Sequence, residues 1–334
     1  MSFIRLATPL RSAVPRTAYR RLSTQTTPEK KSNNTALYFL GAGIAGISGY
    51  IYLTGSATAK VKATNTESPL DPKSFKDFKL KEIIPYNHNT ARFVFELPNN
   101  EAALLPVASC LVVRSPEDLP EDDPRALKDS KGKPVIRPYT PVSQPDEPGV
   151  LTLLVKKYDN GVASKYIHEL KVGDKLAFKG PLPKYLYKAN EFEEVALIGG
   201  GSGITPLYQI LTHALPDPAN KTKFTLIFAN LTEEDILLRE EFDDLKKKYS
   251  DKFDVVYALD KPKEDWKGET GHLTGEVLKK YLAKPELGEK VKVFICGPPG
   301  QVNAIAGKKD GYQQGPLGGI LKELGYKEDQ VYKF

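Results

Sequence analysis

Apolar and polar residues alternate in short runs along the first half of the folded body, over residues 75–186. Arg92–Glu96 is an example, with Phe93 and Phe95 two residues apart on one face, as in a β-strand. Six such runs between turn signals predict a small six-stranded antiparallel β-barrel. The predicted strands are Phe78–Tyr86, Thr90–Glu96, Ser109–Arg114, Arg137–Pro141, Val150–Lys157 and Lys175–Gly180. One short helix, Ser164–Leu170, and one acidic, Pro-rich loop, Ser115–Lys133, interrupt them.

The pattern changes over residues 193–334, where continuous apolar runs alternate with amphipathic ones. Buried strands alternating with helices predict a doubly wound parallel sheet, which binds ligands at the carboxyl ends of its strands. The predicted strands are Val195–Ile198, Phe224–Ala229, Asp254–Leu259 and Lys292–Cys296. The predicted helices are Pro206–Ala214, Glu233–Tyr249, Thr274–Leu282 and Gly315–Leu324.

A third kind of segment precedes both halves. Residues 36–53 contain no charged side chain, and as a helix they are about 27 Å long, close to the thickness of a bilayer core. They predict a single transmembrane helix, followed by a polar linker over residues 54–74. A secretory signal ending near Ala57-Thr58-Ala59 and a buried helix are the alternatives.

The positive charge is concentrated ahead of that helix. Residues 1–34 carry seven basic residues and one acidic residue, a surplus equal to the net charge of +6. An Arg-rich, Ser-rich start predicts a mitochondrial targeting segment over residues 1–35, and the alternative is a disordered basic tail. Because the remainder is close to neutral, no nucleic-acid partner is expected.

Composition narrows the remaining possibilities. A chain of 334 residues, with 40% hydrophobic and 27% charged residues, is typical of about two globular domains. Two cysteines and four scattered histidines show no metal-ligand spacing, so no metal site is expected.

Three motifs carry candidate chemistry. Gly199–Gly203 follows a strand and opens a helix, which suits phosphate binding, although a plain strand-to-helix turn is the alternative. Arg137–Ser143 combines a phosphate-binding Arg with a Tyr on the same strand face, or forms a simple Pro-bounded edge strand. Cys296–Gly300 lies at the end of a buried strand, where a lone Cys more often serves packing.

Together and in this order, the three motifs resemble those of the cytochrome b5 reductase family of ferredoxin-reductase-like flavoproteins, over Phe75–Phe334. The resemblance implies an FAD-binding β-barrel domain over residues 75–186 and an NADH-binding α/β domain over residues 193–334. The N-terminal features resemble the membrane-anchored mitochondrial form of that family found in fungi. This implies anchoring in the outer mitochondrial membrane by one helix, with a cleaved form in the intermembrane space also possible.

The resemblance also implies roles for individual residues. Arg137 matches the ligand of the FAD phosphate, Tyr139 lies against the flavin ring and Thr140 near its N5 atom. A His matching His88 pairs with Thr140 as a proton route, and Cys296 completes the implied catalytic set. The other implied FAD-binding residues are Pro138, Val155, Lys156, Tyr158, Gly161, Val162, Ala163 and Ser164. The implied residues on the nicotinamide side are Gly200, Gly201, Ser202, Gly203, Thr205, Asp260, Cys296, Gly297, Pro298 and Phe334.

The implied activity is hydride transfer from NADH to FAD, followed by single-electron transfer to cytochrome b5 or a similar haem protein. Asp260 matches an acid that binds the adenosine ribose, which favours NADH over NADPH. Surface lysines near the cleft would steer an acidic acceptor; the candidates are Lys156, Lys157, Lys165 and Lys184. The alternatives are a related reductase directed at nitrate or quinone, and a non-catalytic membrane-tethered nucleotide-binding protein. A monomer is expected.

Overall fold

The computed structural model describes residues 63, 65–116, 118–120, 123 and 126–334. These residues belong to one compact unit spanning Val61–Phe334. The predicted targeting segment (1–35), the predicted membrane helix (36–53) and the first part of the linker lie outside the described residues. Within the described part of the chain, no helix is both long and apolar enough to cross a bilayer.

The first half of the described chain forms a six-stranded antiparallel sheet, as the alternation predicts. Its strands are β1 Lys76–Asn87, β2 Thr90–Glu96, β3 Ser109–Arg114, β4 Arg137–Tyr139, β5 Val150–Lys156 and β6 Lys175–Pro183, and the short helix is α1 Val162–Glu169. Their order in the sheet is β4-β3-β6-β1-β2-β5. The sheet curls towards closure, since the N–H of Val142, just after β4, donates to the carbonyl of Thr152 on β5 at 2.9 Å.

Alternating side chains of this sheet point inward and form its core. Phe93, Phe95 and Phe178 are almost fully buried there. Phe178 meets Phe95 edge to face at 4.8 Å. Strand β4 ends at Tyr139 rather than at the predicted Pro141, because proline has no N–H to continue the ladder. Pro138 is tolerated because β4 is the edge strand of the sheet.

The second half forms a six-stranded parallel sheet with helices on both faces. The strands are β7 Glu194–Gly200, β8 Lys223–Asn230, β9 Phe253–Leu259, β10 Glu269–Thr270, β11 Val291–Cys296 and β12 Val331–Lys333. The helices are α2 Ile204–Ala214, α3 Arg239–Lys248, α4 Gly275–Tyr281, α5 Pro299–Ala306 and α6 Gly319–Glu323. Short 3-10 turns lie at Pro98–Asn100, Gly201–Gly203, Glu233–Asp235, Pro285–Lys290 and Glu328–Gln330.

The strand order of this sheet is β10-β9-β8-β7-β11-β12. The order along the chain reverses at β7, and a crevice opens outside the carboxyl ends of strands at such a point. One hydrophobic core fills each face of the sheet. The residues that follow β7 and β11, Gly201–Gly203 and Gly297–Pro299, therefore border the expected ligand crevice.

The predicted helix Glu233–Tyr249 is wrong in its first part. Glu233–Asp235 form a 3-10 turn, and the helix begins only at Arg239. Leu238 between them adopts φ 58°, and Ile236–Leu238 are buried, so this stretch is an anchored connection and not a solvated helix face. The predicted helix Gly315–Leu324 begins at Gly319, since Gly315 has φ +61° and Pro316 follows it.

Candidate active site

Tyr158, one of the implied FAD-binding residues, and the glycine-rich turn meet at one hydrogen bond between two side chains. Tyr158 follows β5 in the first half, and Ser202 lies in the turn after β7 in the second. Their hydroxyl oxygens are 2.7 Å apart. Gly201, at φ +49°, faces the same phenol: a Cβ placed there would lie 3.9 Å from the Tyr158 Oη atom. These contacts bring the two halves together at a single crevice.

Arg137 lies on the exposed edge strand β4, opposite Val113 of β3. Its Nη1 atom donates to the carbonyl of Ile136 at 2.9 Å, and the side chain is exposed. A guanidinium held at the surface by its own backbone keeps most of its donor fork available for an anion.

Tyr139 lies two residues further along β4, and its ring packs on the core of the antiparallel sheet. Burial raises the pKa of its phenol to about 12, with Arg137 opposing and Tyr158 adding to that rise. The phenol therefore stays neutral at physiological pH. A neutral ring beside Tyr158 offers a flat apolar surface at the crevice, and Thr140 follows it, half-buried.

The N-terminus of α1 lies beside Tyr158. Its first N–H groups have no intrahelical acceptor, and no side chain caps them. The hydroxyl of Ser164, an implied FAD-binding residue, donates to the carbonyl of Gly161 and accepts from the N–H of Tyr158, both at 3.1 Å. These two hydrogen bonds shape the turn before α1. Because Ala163 is buried and Val162 carries no charge, backbone N–H groups are the donors that remain here.

Two residues of β5 differ from the expected picture. The side chain of Val155 is buried in the core of the antiparallel sheet, and its carbonyl is 2.9 Å from Nε2 of His168. Lys156 was a candidate for steering an acidic partner, but its ammonium lies 2.8 Å from the Asp235 carboxylate and is largely buried. Its charge is already paired, which removes it from the exposed lysines; Lys157, Lys165 and Lys184 remain exposed.

Close packing within the domain requires two glycines of Gly199–Gly203. A Cβ at Gly203 would lie 2.5 Å from the carbonyl oxygen of Cys296, and one at Gly200 would meet Gln301 and Pro298. Two backbone turns at the carboxyl edge of the sheet therefore touch directly, and only the absence of side chains permits it. Thr205, at the start of α2, is buried, and its hydroxyl is 3.4 Å from the carbonyl of Ser202.

Cys296 ends β11 directly beneath this contact. Burial raises the pKa of its thiol to about 12, an effect that Lys309 opposes, so the group stays protonated near neutral pH. The C-terminal residue lies next to it: the N–H of Phe334 donates to the carbonyl of Ile295 at 2.9 Å. The Phe334 ring contacts the rings of Phe294 and Tyr332.

The structure places His88 away from its expected partner. Its Nε2 atom is 2.9 Å from Nδ2 of Asn89 and 3.7 Å from Oδ1 of Asp235. Among the described residues, no hydrogen bond joins His88 to Thr140. The tight β1–β2 turn directs the ring towards the second half of the chain, so the expected pairing with Thr140 is corrected to a contact with Asp235.

Asp260 lies directly after β9, at the carboxyl edge of the parallel sheet. Its N–H donates to the carbonyl of Asn230, and its carboxylate is 3.5 Å from Nε2 of the exposed His272. The carboxylate is partly exposed in the position where such sheets bind a nucleotide ribose.

Asp235 is the residue of this region that the sequence interpretation missed. Its Oδ2 atom accepts from the N–H and the hydroxyl of Thr232, which forms a capping box around the 3-10 turn. A hydroxyl residue followed three positions later by an acid, just before a buried apolar run, is a recognisable signal of that motif.

The residues of the crevice fit an FAD molecule. Arg137 and the uncapped N-terminus of α1 supply cationic and N–H donors for a pyrophosphate. Exposed apolar surface, unusual on a folded protein, lies beside them on Ile136, Tyr158 and Val162. Donors next to uncovered apolar surface match a flat ring system joined to phosphates.

Comparison with known proteins agrees with this reading. The oxidoreductase FAD-binding domain family matches residues 77–187, and the oxidoreductase NAD-binding domain family matches residues 197–306. A Mycosarcoma maydis protein named NADH-cytochrome b5 reductase 2 is 44% identical over 342 residues, covering 97% of this chain and 95% of the relative. Its Emericella nidulans namesake is also 44% identical, over 99% and 98% of the two chains.

Solved structures show the same architecture. The cytochrome b5 reductase domain of Ulva prolifera nitrate reductase has a TM-score of 0.67 and 26% identity, and the match covers 80% of this chain and all of that one. The CS-b5R domains of human Ncb5or give a TM-score of 0.61 at 25% identity, over 78% and 69% of the chains. With its FAD- and NAD-binding oxidoreductase domains, the chain belongs to the NADH-cytochrome b5 reductase family.

Proposed function

We propose that this enzyme takes a hydride from NADH onto FAD and passes the electrons to cytochrome b5. The observation that carries the proposal is the contact between Tyr158 and Ser202. It places an implied FAD-binding residue of one domain against the glycine-rich turn of the other. Two cofactors held on either side of this contact would face each other across one crevice, as direct hydride transfer requires.

The residues proposed to bind FAD do so through charge and through shape. FAD, when bound, supplies the redox chemistry: it accepts two electrons as hydride and releases them singly. Arg137 and the N-terminus of α1 would bind its pyrophosphate, and the neutral rings of Tyr139 and Tyr158 would offer it flat apolar contacts.

On the nicotinamide side, Asp260 selects between NADH and NADPH, and the turns Gly201–Gly203 and Gly297–Pro299 shape the site. A carboxylate at the ribose position accepts hydrogen bonds from hydroxyl groups and repels a 2′-phosphate, so NADH is preferred over NADPH. The protonated Cys296 thiol adds no negative charge near the hydride donor. Phe334, beside β11, and Thr205, at the start of α2, would be the neighbours of a nicotinamide bound at this edge of the sheet.

The test is an anaerobic titration of the full-length yellow protein. NADH should bleach the flavin absorbance at one equivalent, NADPH should do so poorly, and added oxidised cytochrome b5 should restore the colour. Protein that binds no FAD, or a flavin that NADH leaves oxidised, would refute the proposal. If nitrate-linked or quinone acceptors reoxidise the reduced flavin rapidly and cytochrome b5 does not, the protein is instead a related reductase with a different electron acceptor.

We also propose that residues 1–35 direct the chain to mitochondria, and that residues 36–53 anchor it in the outer membrane as a monomer. The support is the acid-free Arg-rich start and the uncharged run that follows it. Import into isolated mitochondria, followed by carbonate extraction and protease protection, tests the targeting role of residues 1–35 and the membrane anchoring by residues 36–53. Unprocessed protein in the soluble fraction after carbonate extraction would contradict the anchoring.

A further inference from the structure

The segment Thr232–Glu241, here called the bridging segment, joins the parallel sheet to one end of the antiparallel sheet. It belongs to the NAD-binding domain, between β8 and α3, yet its partners lie on β1, β2 and β5. The contacts are Asn87 Nδ2 to the Glu234 carbonyl at 2.8 Å, the Leu238 N–H to Tyr86 Oη at 2.7 Å, Lys156 Nζ to Asp235 Oδ1 at 2.8 Å, and Arg92 Nη2 to Glu241 Oε1.

The ion pair between Lys156 and Asp235 is the buried element of this set. Their side chains are 15% and 7% exposed. Thr232 holds Oδ2 of Asp235 with two hydrogen bonds, which leaves Oδ1 aimed at the other domain. Burial opposes ionisation of Asp235, but the hydrogen bonds from Lys156 and Thr232 keep its pKa below the ordinary value. Thr232 thus orients the carboxylate, and Lys156 and Thr232 together favour its charged form.

A buried ion pair gives little net stability, because desolvation offsets much of the attraction. Its geometry is nevertheless demanding, since either charge left unpaired in the interior is costly. Such a pair is therefore better suited to fixing the orientation of the FAD-binding domain relative to the NAD-binding domain than to stabilising the fold of either domain.

Lys156 lies close to the crevice, so the orientation of the domains affects the site itself. Lys156 lies two residues before Tyr158, the residue that touches Ser202 of the glycine-rich turn. The pair thus fixes the FAD-binding strand against the NAD-binding domain close to the crevice. A shift of about 1 Å between reacting groups is enough to slow a hydride transfer considerably.

We propose that Lys156 and Asp235 are positioning residues that lock the two domains in the orientation hydride transfer requires. The effect on hydride transfer rests on the proposed function; the locking of the domains does not. Neither side chain is assigned a contact with the reacting atoms.

The experiment compares four full-length variants: Asp235→Asn, Lys156→Met, the double variant Lys156→Met/Asp235→Asn, and the control Lys263→Met. Asn keeps an oxygen that can accept the hydrogen bonds of Thr232. Lys263 pairs with Glu234 of the same segment, within one domain and at the surface, where its side chain is 65% exposed. Each is measured by thermal unfolding, FAD content, amide hydrogen exchange over the bridging segment, and the limiting rate of flavin reduction by NADH in stopped flow.

The single variants should unfold at lower temperature, because each leaves one charge buried. The double variant should recover most of that loss, since it removes both charges and keeps an acceptor for Thr232. With normal FAD content, it should still show faster exchange at the Leu238 amide and a limiting rate lowered about 10-fold. Lys263→Met should match the wild type in exchange and rate.

Exchange and limiting rate at wild-type values in the double variant would overturn the inference, even if the single variants fail to fold. Faster exchange with an unchanged rate would overturn the positioning role. A wild-type protein that NADH does not reduce would refute the proposed function instead, and the exchange data would then decide the domain lock alone.

Discussion

Replacing Arg137 with alanine tests the FAD phosphate site directly. The guanidinium lies on an exposed edge strand and contacts the carbonyl of its neighbour, Ile136. Removing an exposed side chain of this kind should change the free energy of unfolding of the FAD-free protein by no more than about 0.5 kcal/mol. Any effect on FAD binding then reports the lost contact and not a damaged fold.

The magnitude follows from the kind of bond that is lost. A charge-assisted hydrogen bond to phosphate contributes about 1.5–3 kcal/mol. At about 1.4 kcal/mol for each factor of ten, FAD binding should weaken roughly 10- to 150-fold. Because the contact is electrostatic, the wild-type affinity should also fall as salt rises, and the Arg137→Ala protein should show a shallower dependence.

The assay is titration of FAD-free full-length protein with FAD, followed by quenching of flavin fluorescence at two salt concentrations. Lys171→Ala is the matched control, since Lys171 is an exposed cation in the turn before β6, outside the crevice. An Arg137→Ala protein that keeps wild-type affinity at both salt concentrations would refute the phosphate role. Equal weakening by Lys171→Ala would show that only the general charge matters.

Further outcomes can be measured on the same protein. Asp260→Asn should lower the ratio of kcat/KM for NADH over NADPH about 10- to 100-fold, as steady-state rates would show; an unchanged ratio removes Asp260 from selectivity. With a pKa near 12 instead of 9.0, Cys296 should form about 10³-fold less thiolate, so mass spectrometry should find slow alkylation at pH 8. Phe242→Ala removes a fully buried ring that meets Phe228 and Tyr208, and should cost about 3–5 kcal/mol in urea unfolding. Because the folded-state pKa of Asp235 is lowered, its contribution is present above its ordinary pKa near 3.8 and is lost on acidification; the gap in Tm between wild type and Asp235→Asn should therefore narrow between pH 7 and pH 3.

The sheets were predictable because their signals are local. The short apolar runs of β2 and β8 each reflect the side chains that the strand buries, and both strands lie where the pattern puts them. Strand β12 escaped prediction because Val331–Lys333 is short and depends on pairing with β11, distant in sequence. Helix α5 escaped because the prolines before it indicate a turn, although proline also suits a first helical position.

The contacts within the candidate site were not predictable from the sequence. Nothing local to Lys156 or His88 indicates that both face Asp235, about 80 or more residues away along the chain, because an ion pair between domains leaves no periodicity. The glycines of Gly199–Gly203 were also interpreted through a ligand, whereas Cys296 and Gln301 of the same domain already demand them at two positions. Close backbone packing and phosphate binding select the same residue type, so sequence alone does not separate them.

The last two residues of the chain, Lys333 and Phe334, are held by several hydrogen bonds. Gln314 exchanges two hydrogen bonds with the backbone of Lys333, and the buried Lys333 ammonium donates to the carbonyl of Pro316 at 3.0 Å. Phe334 then ends the chain beside β11. An affinity tag or fluorescent protein fused after Phe334 would lie next to the crevice. One fused at the N-terminus would be attached to the proposed targeting segment, residues 1–35. Insertion into a surface turn, such as the one at Gly132, is therefore the safer way to label this protein, since a side chain there would meet nothing within 4 Å.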